Sequence, residues 1–198
     1  MNKVFILLDR SYSMQSMWEE AISGINSYVK KLENVDVMLA AFDTESYDVV
    51  RNCASRNWEP LTTREIEPRG STPLLDAAGR IMWSMLDSKA ERAMLVIVTD
   101  GEENSSKNFK IHDIKNLTNQ ITNKNYEIVF LGANFDKIGE VAQQNFGWND
   151  NTRVMQTSVK GFGAAMAASA TGTMNYMASG NRVGAFYNAN DKADALKK

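Results

Sequence analysis

Apolar positions along this chain fall into two periods that alternate from the N-terminus onward. Continuous apolar runs mark residues 4–8, 35–42, 92–99 and 126–131 as strands buried on both faces. Between them, apolar residues recur at spacings of three and four. Trp18, Ala21, Ile22, Ile25, Val29 and Leu32 define one helix face within 16–32. Leu74, Leu75, Ala78, Ile81, Met82 and Met85 define a second, and Ile111, Ile114, Leu117 and Ile121 a third within 109–123. Residues 135–144 read as a short helix through Ile138 and Val141. Val159, Phe162, Met166, Ser169, Thr173 and Met177 share one face of a long final helix. Residues 47–51 return as an antiparallel edge strand, and 151–156 form a last edge strand. Residues 52–69 are irregular, anchored by Trp58, Leu61 and Ile66. Strands alternating with helices predict an α/β fold of three layers, with a doubly wound, mostly parallel central sheet and one antiparallel edge strand. The domain spans residues 1–180. Residues 181–198 are weakly patterned and read as a mobile tail.

Chemistry-bearing residues gather at predicted strand ends. Residues 4–8 run directly into Asp9-Arg10-Ser11-Tyr12-Ser13, which sets three oxygen-bearing side chains at alternate positions. Ser16-Met17-Trp18-Glu19 is a capping box at the start of the first helix. Gly70-Ser71-Thr72-Pro73-Leu74 is a loop with a hydroxyl before a proline suited to the first helical position. Residues 95–99 end in Asp100-Gly101. In an open α/β sheet the ligand crevice lies where strand order reverses. With 4–8 and 95–99 as central neighbours, Asp9 and Asp100 meet there. Asp9, Ser11, Ser13, Thr72 and Asp100 supply oxygen ligands only, which suits Mg2+, Mn2+ or Ca2+ and not zinc. Taken singly, the first three read as helix caps, Thr72 as an N-cap and Asp100-Gly101 as a turn.

Asp9-x-Ser11-x-Ser13, then Thr72, then Thr99-Asp100-Gly101, together resemble the metal-ion-dependent adhesion site of von Willebrand factor type A domains. The resemblance covers roughly the first three quarters of the chain. It implies a Rossmann-like fold of that family. It also implies that Ser11, Ser13 and Thr72 contact the metal through hydroxyls, while Asp9 and Asp100 hold it directly or through water. A partner protein's Asp or Glu would fill the remaining position. The helix starts after Ser13 and Thr72 favour that incoming anion. Arg10 and Arg69 flank the site, either as partners for acidic groups or as solvated surface charges.

Bulk properties narrow the function classes. Over 198 residues, 43% are hydrophobic and 23% charged, an ordinary balance for a globular domain able to bury a core. A formal charge of −2 gives no electrostatic reason for nucleic acid or an anionic membrane as partner. Cys53 is the single cysteine, so no internal disulfide forms, and it reads as inert. Lys3 is followed by only five apolar residues, too few for a signal peptide, so a cytoplasmic location is expected. A phosphatase or phosphotransferase of the haloacid dehalogenase type needs a second carboxylate two residues after its nucleophilic Asp, and Ser11 stands there. Neither a Gly-x-Ser-x-Gly elbow nor a phosphate loop is present. Glu102 and Glu103 read as the solvated start of an element and His112 as a surface residue. The expectation is a non-enzymatic, metal-dependent interaction module, an adaptor or assembly factor. The rival readings are a phosphotransferase-like enzyme, or a scaffold with a structural metal whose small-residue final helix docks a partner.

Overall fold

The computed structural model describes residues 1–133, 135–148, 150–182 and 186–197. Six strands form one sheet: β1 (Asn2–Asp9), β2 (Val35–Phe42), β3 (Tyr47–Ala54), β4 (Ala93–Thr99), β5 (Glu127–Ala133) and β6 (Val154–Thr157). Their order is β3-β2-β1-β4-β5-β6. Every neighbouring pair is parallel except β2–β3. The predicted fold class is therefore the observed one.

The sheet is buried on both faces because its central strands carry apolar residues at successive positions. Val4, Ile6 and Leu8 of β1 face one core cluster, and Phe5 and Leu7 face the other. The first cluster lies under α1 (Trp18–Lys30), α5 (Phe162–Ser179) and α6 (Ala189–Ala195). The second lies under α2 (Leu74–Asp87), α3 (Ile111–Asn123) and α4 (Ile138–Phe146). Helix layers on both faces complete three layers. Among the described residues, no helix is long and apolar enough to cross a membrane.

Several local expectations shift. The capping box at Ser16 does not form: the chain already winds as a 3-10 helix over Tyr12–Met17, and Met17 precedes α1 without a side-chain cap. Pro73 is the residue before α2, not its first turn. β3 runs three residues further than its alternation suggests. It keeps register with β2 by a bulge, since Arg51 pairs with Leu39 and Val49 with Ala40. The irregular stretch beyond β3 is clamped to α1. Asn26 exchanges hydrogen bonds with the Leu61 backbone (2.8 and 2.9 Å) and accepts one from Trp58, while Trp18 donates to the Ile66 carbonyl.

Residues 183–185 and 198 of the predicted tail lie outside the described residues. The rest of that segment carries α6 and packs on α5. The buried Tyr187 hydroxyl pairs with Ser169 at 2.7 Å, and Ser158 N–H donates to the Ala195 carbonyl. Gly172 of α5 serves this contact: a side chain there would strike the Phe186 ring at 2.5 Å.

Candidate metal centre

Strand order reverses between β1 and β4, whose C-terminal ends lie side by side with Leu8 opposite Val98. Asp9 and Thr99 follow immediately. Thr99 Oγ1 donates to Asp9 Oδ2 at 2.6 Å, and the Ser11 N–H donates to Asp9 Oδ1 at 2.7 Å. Both carboxylate oxygens are thereby oriented. Ser11 Oγ lies 3.0 Å from Ser13 Oγ, and Ser13 Oγ donates to Asp100 Oδ1 at 2.7 Å. Thr72 completes the group from the third turn. A Cβ added at Gly101 would sit 3.4 Å from Thr72 Oγ1 and 3.8 Å from Ser13 Oγ, so both hydroxyls converge on the Asp100-Gly101 turn. All five sequence-predicted residues are brought together.

Backbone bonds stitch the three turns. Tyr12 N–H donates to the Gly70 carbonyl at 3.1 Å, and Arg69 N–H to the Arg10 carbonyl at 2.8 Å. Thr72 N–H donates to Asn104 Oδ1 at 3.0 Å, while Asn104 N–H returns a bond to the Thr72 carbonyl. Gly70 has a φ of +66°, and a side chain there would meet Thr44 Oγ1 at 2.5 Å, so only glycine fits.

The electrostatics single out Asp9. Burial pushes its carboxyl up to about 6, against the lowering effect of its hydrogen bonds from Thr99 and Ser11; Asp100 adds a smaller upward push. Asp100 is also raised, by burial. Neither carboxylate has an ion-pair partner among the described residues. The adjacent Arg10 turns away to Asp43 (2.6 Å) and Asp48 (2.5 Å). Two under-compensated carboxylates and three hydroxyls are hard oxygen donors, and the set fits a divalent cation of the Mg2+, Mn2+ or Ca2+ type. Among the described residues no group of three or more His, Cys, Asp or Glu side chains is placed to hold a metal. Any ion here depends on the hydroxyls.

Residues around the centre depart from expectation. Arg10 is buried, and both it and Arg69 bind Asp43, so neither is a free surface charge. Their shared hold keeps the Asp43 carboxyl below the usual range despite burial. Glu103 is not at a solvated start. It accepts from the N–H groups of Leu75, Ser105 and Ser106 and from the Ser106 hydroxyl. Its charge therefore sits on the first turn of α2 and offsets the helix end expected to attract an anion. Glu102 pairs with Lys137 at 2.9 Å. His112 is exposed beside Asp113, as expected of a surface residue. Sequence reasoning missed Thr99 and Asn104. Thr99 stands in the Thr99-Asp100-Gly101 stretch, but nothing in the sequence pairs its hydroxyl with Asp9.

The sequence profile of the von Willebrand factor type A domain matches residues 4–103, half of the chain. The chain belongs to the von Willebrand factor type A family. The matched span runs from β1 through the turn after β4 and contains all five converging residues. No curated protein sequence matches the chain. Among solved structures, the vWF domain of the type V pili tip protein Mfa5 from Porphyromonas gingivalis superposes with a TM-score of 0.69 at 13% identity, over 92% of this chain and 97% of that one. The pilus adhesin SpaC from Lactobacillus rhamnosus GG gives 0.67 at 15% identity, over 85% of this chain and 29% of that one. A mutant of the PilB minor pilin from Streptococcus sanguinis gives 0.64 at 12% identity, over 90% and 63%. At these identities the likeness is one of fold. This type A domain shares the architecture of the Mfa5 domain over nearly its whole length and corresponds to under a third of SpaC.

Proposed function

We propose that this type A domain is a metal-dependent protein-interaction module, whose partner places an Asp or Glu on a divalent cation at a metal-ion-dependent adhesion site. The observation that carries this reading is the convergence of Asp9, Ser11, Ser13, Thr72 and Asp100 from three turns at the switch point. Ser11, Ser13 and Thr72 would hold the ion through neutral hydroxyls, with Asp9 and Asp100 supplying the charge. A cation held by only two carboxylates keeps a strong affinity for a further anionic oxygen. Thr99 and the Ser11 N–H fix the orientation of Asp9, and the Asn104–Thr72 pair fixes the third turn. The fold neighbours are a pili tip protein, a pilus adhesin and a minor pilin, which agrees with a role in binding other proteins. Ser11 in place of a second acid argues against phosphoryl transfer, which needs a carboxylate there.

The test is capture of partners from the native host by the immobilised domain, with Mg2+ or with EDTA, read by mass spectrometry. Specific partners should be retained with Mg2+, released by EDTA, and lost with Asp9→Ala. Partners retained equally under all three conditions would overturn the proposal. Metal-dependent turnover of a generic phosphoester, abolished by Asp9→Ala, would replace it with the enzymatic reading.

A further inference from the structure

Asp43 lies in the turn between β2 and β3, and its side chain is 0% exposed. Among the described residues it shares no hydrogen bond with the five that converge on the metal centre. Its Oδ2 accepts from Arg10 Nε at 2.6 Å and from Arg69 Nε at 2.8 Å. Its Oδ1 accepts from the N–H groups of Glu45 at 2.5 Å and Ser46 at 3.0 Å. Each oxygen takes two donors, so the carboxylate is saturated.

The two guanidinium groups come from different turns of the metal centre. Arg10 stands between Asp9 and Ser11, and Arg69 leads directly into Gly70-Ser71-Thr72. One buried charge thus ties the first turn to the second. The same β2–β3 turn holds the second again, since Thr44 Oγ1 accepts from Ser71 N–H at 3.2 Å. Between the two turns themselves run the backbone bonds from Tyr12 to Gly70 and from Arg69 to Arg10. Water competes for such groups, so each bond stabilises little by itself. Removing the shared carboxylate would leave two guanidinium groups facing one another, that of Arg10 only 5% exposed. No other group can take its place. Asp48 pairs with Arg10 and Glu45 with Arg69, while Ser46 Oγ accepts from both arginines but carries no charge. Mg2+ demands near-ideal oxygen geometry, so the separation of Ser11 and Ser13 from Thr72 matters to its binding.

We propose that Asp43 is a positioning residue of the metal centre: through Arg10 and Arg69 it fixes the spacing of the Ser11–Ser13 and Thr72 turns, and thereby sets the affinity for the divalent cation. The effect on affinity rests on the adhesion-site reading; the clamp between the turns does not. The test uses the full chain with Asp43→Asn and Arg69→Gln. Asparagine still accepts from the Glu45 and Ser46 N–H groups and removes the charge. The Arg69 side chain is 43% exposed, so Arg69→Gln should fold even where Asp43→Asn does not. In EDTA, hydrogen exchange at the Tyr12 and Ser71 amides should quicken about tenfold or more in either variant. Mn2+ titrated calorimetrically should bind roughly tenfold to a hundredfold more weakly. A loss of global stability alone would leave that affinity unchanged while the chain stays folded. Combining the two substitutions should weaken binding no further than Asp43→Asn does, because both cut the same link. Exchange at Tyr12 and Ser71 as in the unaltered chain would overturn the proposal. So would Mn2+ affinity that both variants keep. An unaltered chain that binds no Mn2+ would refute the adhesion-site reading instead, and the exchange rates would still decide the clamp.

Discussion

Asp9 carries its charge at a cost in the folded chain. Its carboxyl is buried, pushed up to about 6, and faces Asp100 with no cation to offset it among the described residues. Below pH 4 both folded and unfolded chains hold the proton. Between about 4 and 6 the folded chain holds it more tightly, so this group lowers stability as pH rises through that window, by up to ~3 kcal/mol. Asp9→Asn removes the titration. Its amide oxygen can still accept from Ser11 N–H, and its NH2 can donate to Thr99, whose hydroxyl then turns to the Gly101 carbonyl 3.3 Å away. In EDTA, Asp9→Asn should therefore be more stable than the unaltered chain at pH 7 and equal to it near pH 4. Urea midpoints at both pH values measure this; a variant less stable at pH 7 would refute it. The same imbalance is what a bound cation would relieve.

At the scale of elements, the tail and α5 form one packing unit. Tyr187 is buried against α5, and its hydroxyl pairs with Ser169 while Tyr28 pairs with Thr173 one turn further on. Gly161 lies so close to the Ala195 backbone that α6 leaves no room for a side chain there. Arg92 donates to the carbonyls of Met177 and Ala178 and closes the end of α5. Tyr187→Ala should cost about 3 kcal/mol or more, because it leaves a cavity where the ring was buried; Ser169 keeps its bond to the Ala165 carbonyl. Urea unfolding reads the loss. Cation binding at the ends of β1 and β4 should be unchanged, and a variant that lost both would show the two regions to be coupled.

At the scale of the molecule, three turns from distant parts of the chain meet at one end of a rigid sheet. An ion that binds only the assembled site stabilises the whole domain by mass action. At a hundredfold excess over its dissociation constant this amounts to about 2.7 kcal/mol, or roughly 5–10 °C in Tm for a domain of this size. Calorimetry with Mg2+ or Mn2+ should show that rise, reversed by EDTA and absent in Asp100→Ala. An unchanged Tm at millimolar metal would remove the basis for a metal-dependent partner.

The elements and the five converging residues were legible in the sequence because their signals are local. A continuous apolar run marks a strand buried on both faces, and a strand that ends in Asp marks the rim of the sheet. Strand order then brings Asp9 and Asp100 together whatever the loops do. Charge pairing was decided by the tertiary structure alone. Arg10 reaches Asp43 across 33 positions, and Glu103 reaches the first turn of α2 across 28. Nothing near Arg10 or Glu103 in the chain names those partners, since a side chain's charge fixes what it can bind but not which opposite group the fold carries within reach. The docking of Tyr187 has the same origin: burial and hydrogen-bond satisfaction belong to the assembled packing.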